Sequence, residues 1–470
     1  MAGQRTGGGG MGPPGGAFAG PPGAGFAEGA LPLTGWRQTF SSLSGNRPFQ
    51  FLFTGNIGFF FGMNMMMLLQ GWLVIDKWDN ASYLGYTMAM VALPMLLMAP
   101  VAGVVTDRVD KRQLLLTAQL SLVLINSVVA TLVITDAIQF WHLLVVSTLS
   151  AVVFSFNMPG RQVLVAMLVP RGRLMNAMAL STAVMNASRI VAPAIAGMLV
   201  SPVGIGGAYI VATLFYAFAA VMTYVLPPAP PRRQRGFTFF EDFVEGFAYI
   251  KRTPLLLGLL LFATVPIIFA MPYQTLMPVF AKDVWHVGSR GLGVLQAAGG
   301  VGGLVGALVI ANLDAYPKKG RLLLWGTLGF GGFLALFALS PWFYLALVFI
   351  AVIGFGSMVV MTVTNTSIQL IIPDEVRGRV MSVMMMTFGL MPLGAVPAGV
   401  ATEAVGAPPV VAVSALLFIA STLVLFLIIP SFRSLDREIE EGREREAARR
   451  AAVWAQASAA GAPARAPAAR

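Results

Sequence analysis

The chain has 470 residues, of which 57% are hydrophobic and only 11% are charged, and its mean hydropathy is +0.77. A soluble domain carries roughly 25% charged residues, so this composition excludes a soluble globular protein. The chain contains no cysteine, which excludes disulfides and thiolate metal sites, and its formal net charge is +11. The composition therefore indicates a membrane protein with a basic surface.

The N-terminal region differs from the rest of the chain. Residues 1–35 are rich in Gly, Pro and Ala and lack the basic and apolar regions of a secretory signal, so a disordered tail is predicted. Trp36, Phe40 and Leu43 follow at helical spacing, which predicts a short interfacial helix. We assign residues 1–48 to this tail and helix.

Charge-free segments long enough to cross a bilayer, about 20 residues each, then follow one another. Two are of double length: one breaks at Ser201–Gly206 and is interrupted only by Arg189, and the other breaks at Ser340–Pro341. Barrel strands would instead alternate apolar and polar residues, so twelve transmembrane helices in an all-α polytopic protein are predicted. The segments are Gln50–Ile75, Asn80–Thr106, Gln113–Thr135, Ala137–Gly160, Leu174–Pro231, Thr253–Ala281, Gly291–Leu313, Leu322–Pro373, Val380–Thr402 and Ala404–Phe432.

The basic residues predict how the chain lies in the membrane. With both termini in the cytoplasm, the five inner loops hold 16 of the 31 basic residues, including Arg108, Arg161 and Lys319. The six outer loops hold only Lys77, Lys282 and Arg290. The positive-inside rule therefore predicts that both termini lie in the cytoplasm and that the protein lies in the cell membrane. The net positive charge is explained by this topology and by contact with anionic lipids, and we expect no binding of nucleic acid.

The chain repeats itself once. "LVPRGRLMNAMA" from Leu168 and "IIPDEVRGRVMS" from Ile371 each precede an apolar segment. Two six-helix halves are therefore predicted, an architecture of many secondary transporters with a site near the membrane midplane. We place the N-terminal bundle at residues 49–227, a cytoplasmic connector at 228–253, the C-terminal bundle at 254–430 and a charged cytoplasmic tail at 431–470.

The stretch "GVVTDRVDKR" between the second and third segments resembles the corresponding loop of the major facilitator superfamily. The matching residues are Gly103, Asp107, Arg108, Lys111 and Arg112, whereas Asp110 stands where the family has glycine. A left-handed turn at Asp110 is expected, since Asp tolerates that geometry. The stretches "NASRIVAPAIAG", "MPYQTLMPVFAKDV" and "GLGVLQAAGGVGGLVGAL" are similar to the branch with the enterobactin exporter and macrolide-efflux proteins.

Two motifs carry functional expectations from this resemblance. In the loop, Asp107 is expected to pair with the basic residues or a helix N-terminus and hold the cytoplasmic side closed, while Gly103 permits close helix approach. In the fifth span, Ser188, Ala192, Pro193 and Gly197 resemble the antiporter motif, which favours export over uptake. The alternatives are plain positive-inside charge for the loop and simple helix packing for the motif.

Several polar residues within the spans are candidates for a substrate pathway. One face of the first span is polar and methionine-rich, and methionine adapts to bulky apolar substrates. Arg189 is interpreted as the only charge within any span, solvated by carbonyl groups, by water or by the side chains of Asn186 and Asn157, with a functional or a purely structural role. Interhelical hydrogen bonding is an equal alternative for every other candidate. The candidates are Arg189, Asn56, Asn64, Gln70, Asn186, Tyr273, Gln274, Gln296 and Asn365.

Other chemistry finds little support. No phosphate-binding Gly-x-x-x-x-Gly-Lys-[Ser/Thr] loop is present, and the two histidines, His142 and His286, lack the carboxylates of a metal site. We therefore expect no cofactor, no metal and no enzymatic activity. The expected function is proton-coupled export of a hydrophobic or amphipathic small molecule, drug-like or siderophore-like, by a monomer. The alternatives are uptake of a nutrient or lipid, or a non-transporting sensor of the same fold.

Overall fold

A computed structural model of the chain describes residues 42–230, 239–312, 319–372 and 374–429, together with Asp436 and Glu441. Within these residues the regular secondary structure is entirely helical. The predicted disordered tail, Trp36 and Phe40 of the predicted interfacial helix, and most of the predicted C-terminal tail lie outside the described residues. The residue bounds of the five predicted regions stay predictions.

Eleven described helices are long and apolar enough to cross a membrane. One of them, Leu174–Tyr224, breaks at Gly204, where φ is 70°, and its 51 residues suffice for two crossings. The prediction of an all-α membrane protein with twelve spans is thus confirmed. In chain order, spans 1 to 12 are Arg47–Trp78, Ala81–Arg108, Lys111–Ile134, Phe140–Leu168, the two parts of Leu174–Tyr224, Pro254–Val284, Gly288–Asn312, Lys319–Ala338, Phe343–Ile371, Val376–Val405 and Ala407–Ile428.

Helix ends follow from local sequence signals. Asn46, Asn80 and Asp110 each accept a backbone hydrogen bond at the start of spans 1, 2 and 3, as N-cap residues do. Asp110 has φ −58° and ψ 124°, so the expected left-handed turn at this position is wrong. Its carboxylate stands in for the family glycine by starting a helix rather than by accepting an unusual backbone conformation.

Span 4 is longer than the sequence predicted. It continues through Pro159 and Gly160 to Leu168, so Arg161 lies inside a membrane-spanning helix and not in an inner loop. Proline tends to end helices, but here the chain continues helically because apolar residues such as Leu164 and Val165 beyond it are buried in the bundle. The interpretation of Arg189 as the only charge within a span is therefore wrong.

Spans 1–6 and spans 7–12 pack mainly among themselves, and the two halves meet along two helix pairs. Span 5 packs against span 8, and span 2 packs against span 11. We call the end of the bundle with Arg108, Lys111 and Lys319 the basic end, and the end with Asp79, Lys282 and Glu403 the far end. The connector helix, Phe239–Arg252, lies at the basic end against the start of span 11.

Candidate functional site

At the far end, spans 5 and 8 approach each other backbone to backbone. A Cβ atom added at Gly197 would overlap the carbonyl oxygen of Ser289, and one at Gly293 would lie 2.6 Å from the carbonyl oxygen of Pro193. The Ser289 hydroxyl also donates a hydrogen bond of 3.2 Å to the Gly197 carbonyl oxygen. Only glycine fits at these two positions, so the antiporter-like motif forms part of the contact between the halves.

The remaining motif residues support the same contact. Ser188 and Ala192 are fully buried, and the Ser188 hydroxyl donates to the Val184 carbonyl oxygen at 2.8 Å, which satisfies the hydroxyl within its own helix. Ser188, Ala192, Pro193 and Gly197 therefore lie together as a smooth, small surface. This arrangement is what tight packing requires, and it fits the expected exporter motif equally well.

The second helix pair is closed at the far end by a carboxylate. Glu403, near the end of span 11, accepts hydrogen bonds from the backbone N–H groups of Ala81 and Ser82 at the start of span 2. The first N–H groups of a helix have no partner within the helix, and the helix dipole favours a negative charge there. Gly399 allows the approach, since a Cβ at this position would lie 2.8 Å from the Ala81 carbonyl oxygen.

An ion pair also joins the halves at the far end. The ammonium group of Lys282, in span 7, lies 2.6 Å from an Asp79 carboxylate oxygen and donates to the carbonyl oxygen of Ile75 at 2.7 Å. Ile75 is in the last turn of span 1, where the helix dipole favours a cation. Lys282 thus reaches from one half to the C-terminal end of a helix in the other.

Toward the basic end the same helix faces separate. On span 5, Arg189 and Thr182 lie on the face that contains Pro193, at about 100° per residue, yet both side chains are exposed. On span 8, a Cβ at Gly300 would lie 3.2 Å from the Arg189 carbonyl oxygen, but Leu304, one turn further on, is exposed. Spans 5 and 8 therefore meet at the far end and diverge beyond Gly300.

A cavity of about 310 Å³ lies between the halves, at the lower end of the range of about 300–1,000 Å³ for small-molecule sites. Most of its wall comes from spans 1, 2, 3, 4 and 6, and spans 7, 8 and 11 complete it. The lining residues are Met63, Met66, Met67, Gln70, Gly71, Leu84, Thr87, Met88, Val91, Leu122, Asn126, Leu143, Val146, Ser147, Ser150, Ala151, Phe154, Tyr209, Tyr216, Gln274, Thr275, Pro278, Gln296 and Met391.

Three of the pathway candidates line this cavity, namely Gln70, Gln274 and Gln296. The Gln70 amide donates to the hydroxyl of Ser147, another lining residue, at 2.6 Å. The Gln274 amide lies 3.4 Å from the hydroxyl of Tyr273, which is buried behind it. The amide groups therefore come from both halves of the molecule.

The four candidate asparagines do not line the cavity. Asn64 donates to the Phe60 carbonyl oxygen at 2.8 Å, and Asn365 donates to the Met361 carbonyl oxygen at 3.1 Å, each within its own helix. Asn186 is half-buried on span 5. Asn56 is buried and contacts Arg161.

Arg161 is the charged residue that the sequence interpretation missed. Its side chain is 4% exposed, donates to the Asn157 side-chain oxygen at 2.7 Å and to that of Asn56, and stacks on Phe59 at 3.8 Å from the ring centroid. Among the described residues no carboxylate pairs with it, and its Nη2 atom has no hydrogen-bond partner. The spacing of Asn157 and Arg161, one helical turn apart, was the available signal.

Of the two asparagines named for Arg189, the structure pairs Asn157 with another residue. Asn157 binds Arg161 instead, and among the described residues no hydrogen bond or ion pair to the Arg189 side chain is found. Its side chain is exposed on the face of span 5 that diverges from span 8. It therefore lies beside the opening at the basic end rather than in the lining of the cavity.

The loop between spans 2 and 3 is held by its own half. The Asp110 carboxylate accepts from the Ala229 N–H at 2.8 Å, and Arg112 donates to the Tyr224 carbonyl oxygen at 2.5 Å. Arg108 is exposed, Lys111 is buried, and the Asp107 side chain lies outside the described part.

Gly103 does not have the expected packing role. A Cβ atom added there would have nothing within 4 Å, and the residue is exposed. The expected close helix approach at Gly103 is therefore not found in this structure.

The profile of the family described as "Transmembrane secretion effector" matches residues 38–449. The chain belongs to this family, within the major facilitator superfamily, and it is a multi-pass membrane transporter rather than an enzyme. The transporter is 24% identical to the staphyloferrin A transporter of Staphylococcus aureus over 405 residues, which cover 83% of this chain and 98% of that protein. It is 27% identical over 379 residues to the multidrug efflux pump Tap of Mycolicibacterium fortuitum, with 78% and 91% covered.

Solved structures agree on the fold. The nucleoside transporter NupG superimposes with a TM-score of 0.66 at 13% identity, covering 82% of this chain and all of that chain. A bacterial homolog of the lysosomal transporter Spinster, described as inward-facing and unoccupied, has a TM-score of 0.63 at 14% identity and covers 85% of this chain and 98% of that chain. At such identities the likeness concerns the fold alone.

Proposed function

We propose that this transporter exports a hydrophobic or amphipathic small molecule, drug-like or siderophore-like, from the cytoplasm by alternating access. The observation that carries the proposal is the cavity between the halves, which is closed at the far end and lined by five methionines and by amides from both halves. The relatives named above support it, since their names describe a staphyloferrin A transporter and a multidrug efflux pump.

The orientation follows from the positive-inside rule. We place the basic end and both termini in the cytoplasm of a cell-membrane monomer that contacts anionic lipids, so that the present conformation faces inward. Substrate enters between spans 5 and 8, and the far end opens once the basic end closes. Asp107 and the basic residues of its loop hold that end closed in the outward-facing state.

We further propose that proton entry drives export. No acidic residue lines the cavity among the described residues, so the coupling carboxylate must be sought elsewhere. Asp76 and Asp136 lie at the far end within one half, whereas Glu403 bonds across the halves. Glu403 is therefore our candidate for the coupling group, because its carboxylate holds the start of span 2 and loss of these hydrogen bonds lets the far end open.

The decisive experiment is susceptibility to drugs and siderophores, with and without the gene, in a host that lacks its own pumps. If the protein is an exporter, its gene should increase resistance to at least one compound and lower the cellular accumulation of that compound. If export is proton-coupled, collapse of the proton gradient should abolish the resistance and restore the accumulation. Increased accumulation would favour uptake. No change in accumulation of any compound, in cells or in proteoliposomes, would favour a sensor.

A further inference from the structure

The lining of the cavity contains no charged side chain among the described residues. Its polar groups are the amides of Gln70, Asn126, Gln274 and Gln296 and several hydroxyl groups, and the rest of the wall is methionine, aromatic and aliphatic. Thr275 in this wall is 8% exposed, and its hydroxyl group has no hydrogen-bond partner in the described structure. Amides and hydroxyls can bind neutral donors and acceptors, but they offer no counter-charge to an ion.

The nearest buried charge is positive. The Arg161 guanidinium stacks on Phe59 at 3.8 Å, and the Phe59 ring centroid lies 5.8 Å from those of Phe154 and Tyr216, both of which line the cavity. The guanidinium is therefore within about 10 Å of both lining rings, a distance at which charges inside a protein still interact appreciably. Because its contacts are amides and rings, its charge is not neutralised by any described carboxylate.

The two observations together define a charge preference. Any ion loses its hydration on entering a cavity without a counter-charge, so both cations and anions are penalised relative to a neutral molecule. The field of Arg161 repels a cation further, while it offsets part of the penalty for an anion. Arg161 is buried and is not among the residues that line the cavity, so an anion in the cavity gains no direct ion pair with the guanidinium.

We infer that the cavity selects an uncharged amphipathic molecule that carries hydrogen-bonding groups, accepts anions less well, and accepts cations least. This inference rests on the proposed function and names the substrate class of the same site. It separates the transporter from pumps whose substrates are lipophilic cations. It also disfavours substrates that carry several carboxylate groups.

The test uses three probes of similar size on the purified full chain: naphthalenecarboxamide, naphthoate and naphthylmethylammonium. Their fluorescence on titration reports binding, and the amide should bind at least about tenfold more tightly than the ammonium, with the carboxylate between them. Equal or tighter binding of the ammonium would overturn the inference. Failure of the amide probe to bind would also overturn the inference. The export assay in cells tests the proposed function separately.

Two variants move the charge at the cavity. Gln70→Glu places a carboxylate in the lining and should raise the affinity for the ammonium about tenfold, while Asn365→Asp, outside the cavity, should leave it unchanged. Arg161→Gln removes the buried positive charge and should reduce the difference in binding affinity between the amide probe and the ammonium probe. If Arg161→Gln does not fold, Gln70→Glu alone decides, because an unchanged ammonium affinity would contradict a charge-free lining as the basis of selection.

Discussion

The two ends of the bundle are held in different ways. At the far end, contacts cross from one half to the other: Gly197 meets Ser289, Glu403 meets the start of span 2, and Lys282 pairs with Asp79. At the basic end, the contacts described for the loop between spans 2 and 3 stay within one half, as with Asp110 and Ala229. An end of the bundle is therefore closed by contacts that join the two halves, and the number of charges at that end does not decide whether it is closed.

The connector illustrates the same difference. Its first residues are attached to the N-terminal half, since the Ala229 N–H donates a hydrogen bond to the Asp110 carboxylate in the loop after span 2. Its helix belongs to the other half, because Glu245 pairs with Arg379 at 2.5 Å and a Cβ at Gly246 would lie 2.8 Å from the Arg379 carbonyl oxygen. Each half thus carries its own part of the connector, an arrangement that permits the halves to rock as separate bodies.

Replacing glycine at the far end should have the largest effect. Gly197→Val puts a branched side chain against the Ser289 backbone, and overpacking of this kind costs about 1–3 kcal/mol, enough to reduce the closed population roughly fivefold to 150-fold. Transport in proteoliposomes should fall accordingly. The matched control is Gly332→Val in span 9, where an added Cβ atom would have nothing within 4 Å, and this variant should transport normally.

The conformational basis of that prediction can be checked separately. A single cysteine is easy to introduce because the chain has none, and Ser289→Cys lies in the closed contact at 8% exposure. Accessibility of this cysteine to an impermeant maleimide should rise with Gly197→Val and stay low with Gly332→Val. Low accessibility in both variants would mean that the far end does not depend on the glycine contact.

The second prediction concerns Arg189, where the packed and open parts of span 5 meet. Arg189→Gln keeps polarity and loses charge, and we expect export to fall about tenfold or more, whereas Arg189→Lys should retain measurable export. Both proteins should be inserted and stable in detergent, since the side chain is exposed and makes no described hydrogen bond. Export by the Gln variant at the wild-type rate would leave Arg189 a structural role only.

The fold could be predicted from the sequence further than the site could. Segment length and charge located twelve spans, because crossing a bilayer imposes a length that local sequence reveals. Arg161 was misplaced because a proline and a glycine precede it, and the positive-inside rule assigns such arginines to loops. Its burial depends on Asn56, 105 residues away, and no local pattern predicts that contact.

The candidate pathway residues also could not be assigned from local sequence alone. Gln70 and Asn64 lie on one face of span 1 by spacing, yet Gln70 lines the cavity and Asn64 binds its own backbone. Depth along the helix decides between these outcomes, because the cavity occupies only part of the length of the span. Periodicity gives the face and not the depth.

The third prediction addresses the basic end. If Asp107 holds that end closed in the outward-facing state, Asp107→Asn should favour the inward-facing conformation and slow turnover several-fold, with little loss of expression. The reporter is a cysteine at Thr182, exposed on the diverging face of span 5, whose labelling should increase. Unchanged labelling and turnover would return the loop to a purely topological role.

The fourth prediction tests the carboxylate that caps span 2. Glu403→Gln keeps the size of the side chain and removes the charge, and such interactions with a helix N-terminus contribute about 0.3–1 kcal/mol, up to about 2 kcal/mol when partly buried. Labelling of the far-end cysteine at position 289 should rise a few-fold, and export should become less dependent on the proton gradient. If the proton dependence is fully retained, Glu403 is not the coupling group.

The smallest effect is expected at a far-end ion pair that stays within one half. Lys77 and Asp136 join the end of span 1 to the turn after span 3 at 2.5 Å, and this hydrogen bond and charge lower the pKa of Asp136 from its ordinary value of 3.8. A carboxyl group with a lowered pKa stabilises the fold above its ordinary pKa, and the contribution is lost as the pH falls through the lowered value. No change in stability from this group is therefore expected between about pH 6 and 8.

Asp79 provides a matched comparison, because Asp79 and Asp136 both have positive φ, of 50° and 57°, and both pair with a lysine. Asparagine tolerates this backbone conformation, so neither Asp136→Asn nor Asp79→Asn should strain the chain. Asp136→Asn should leave transport and far-end labelling unchanged, since an exposed pair within one half moves as a unit. Asp79→Asn, which breaks a pair between the halves, should increase labelling measurably, and equal labelling of the two variants would show that crossing the interface adds nothing to closure.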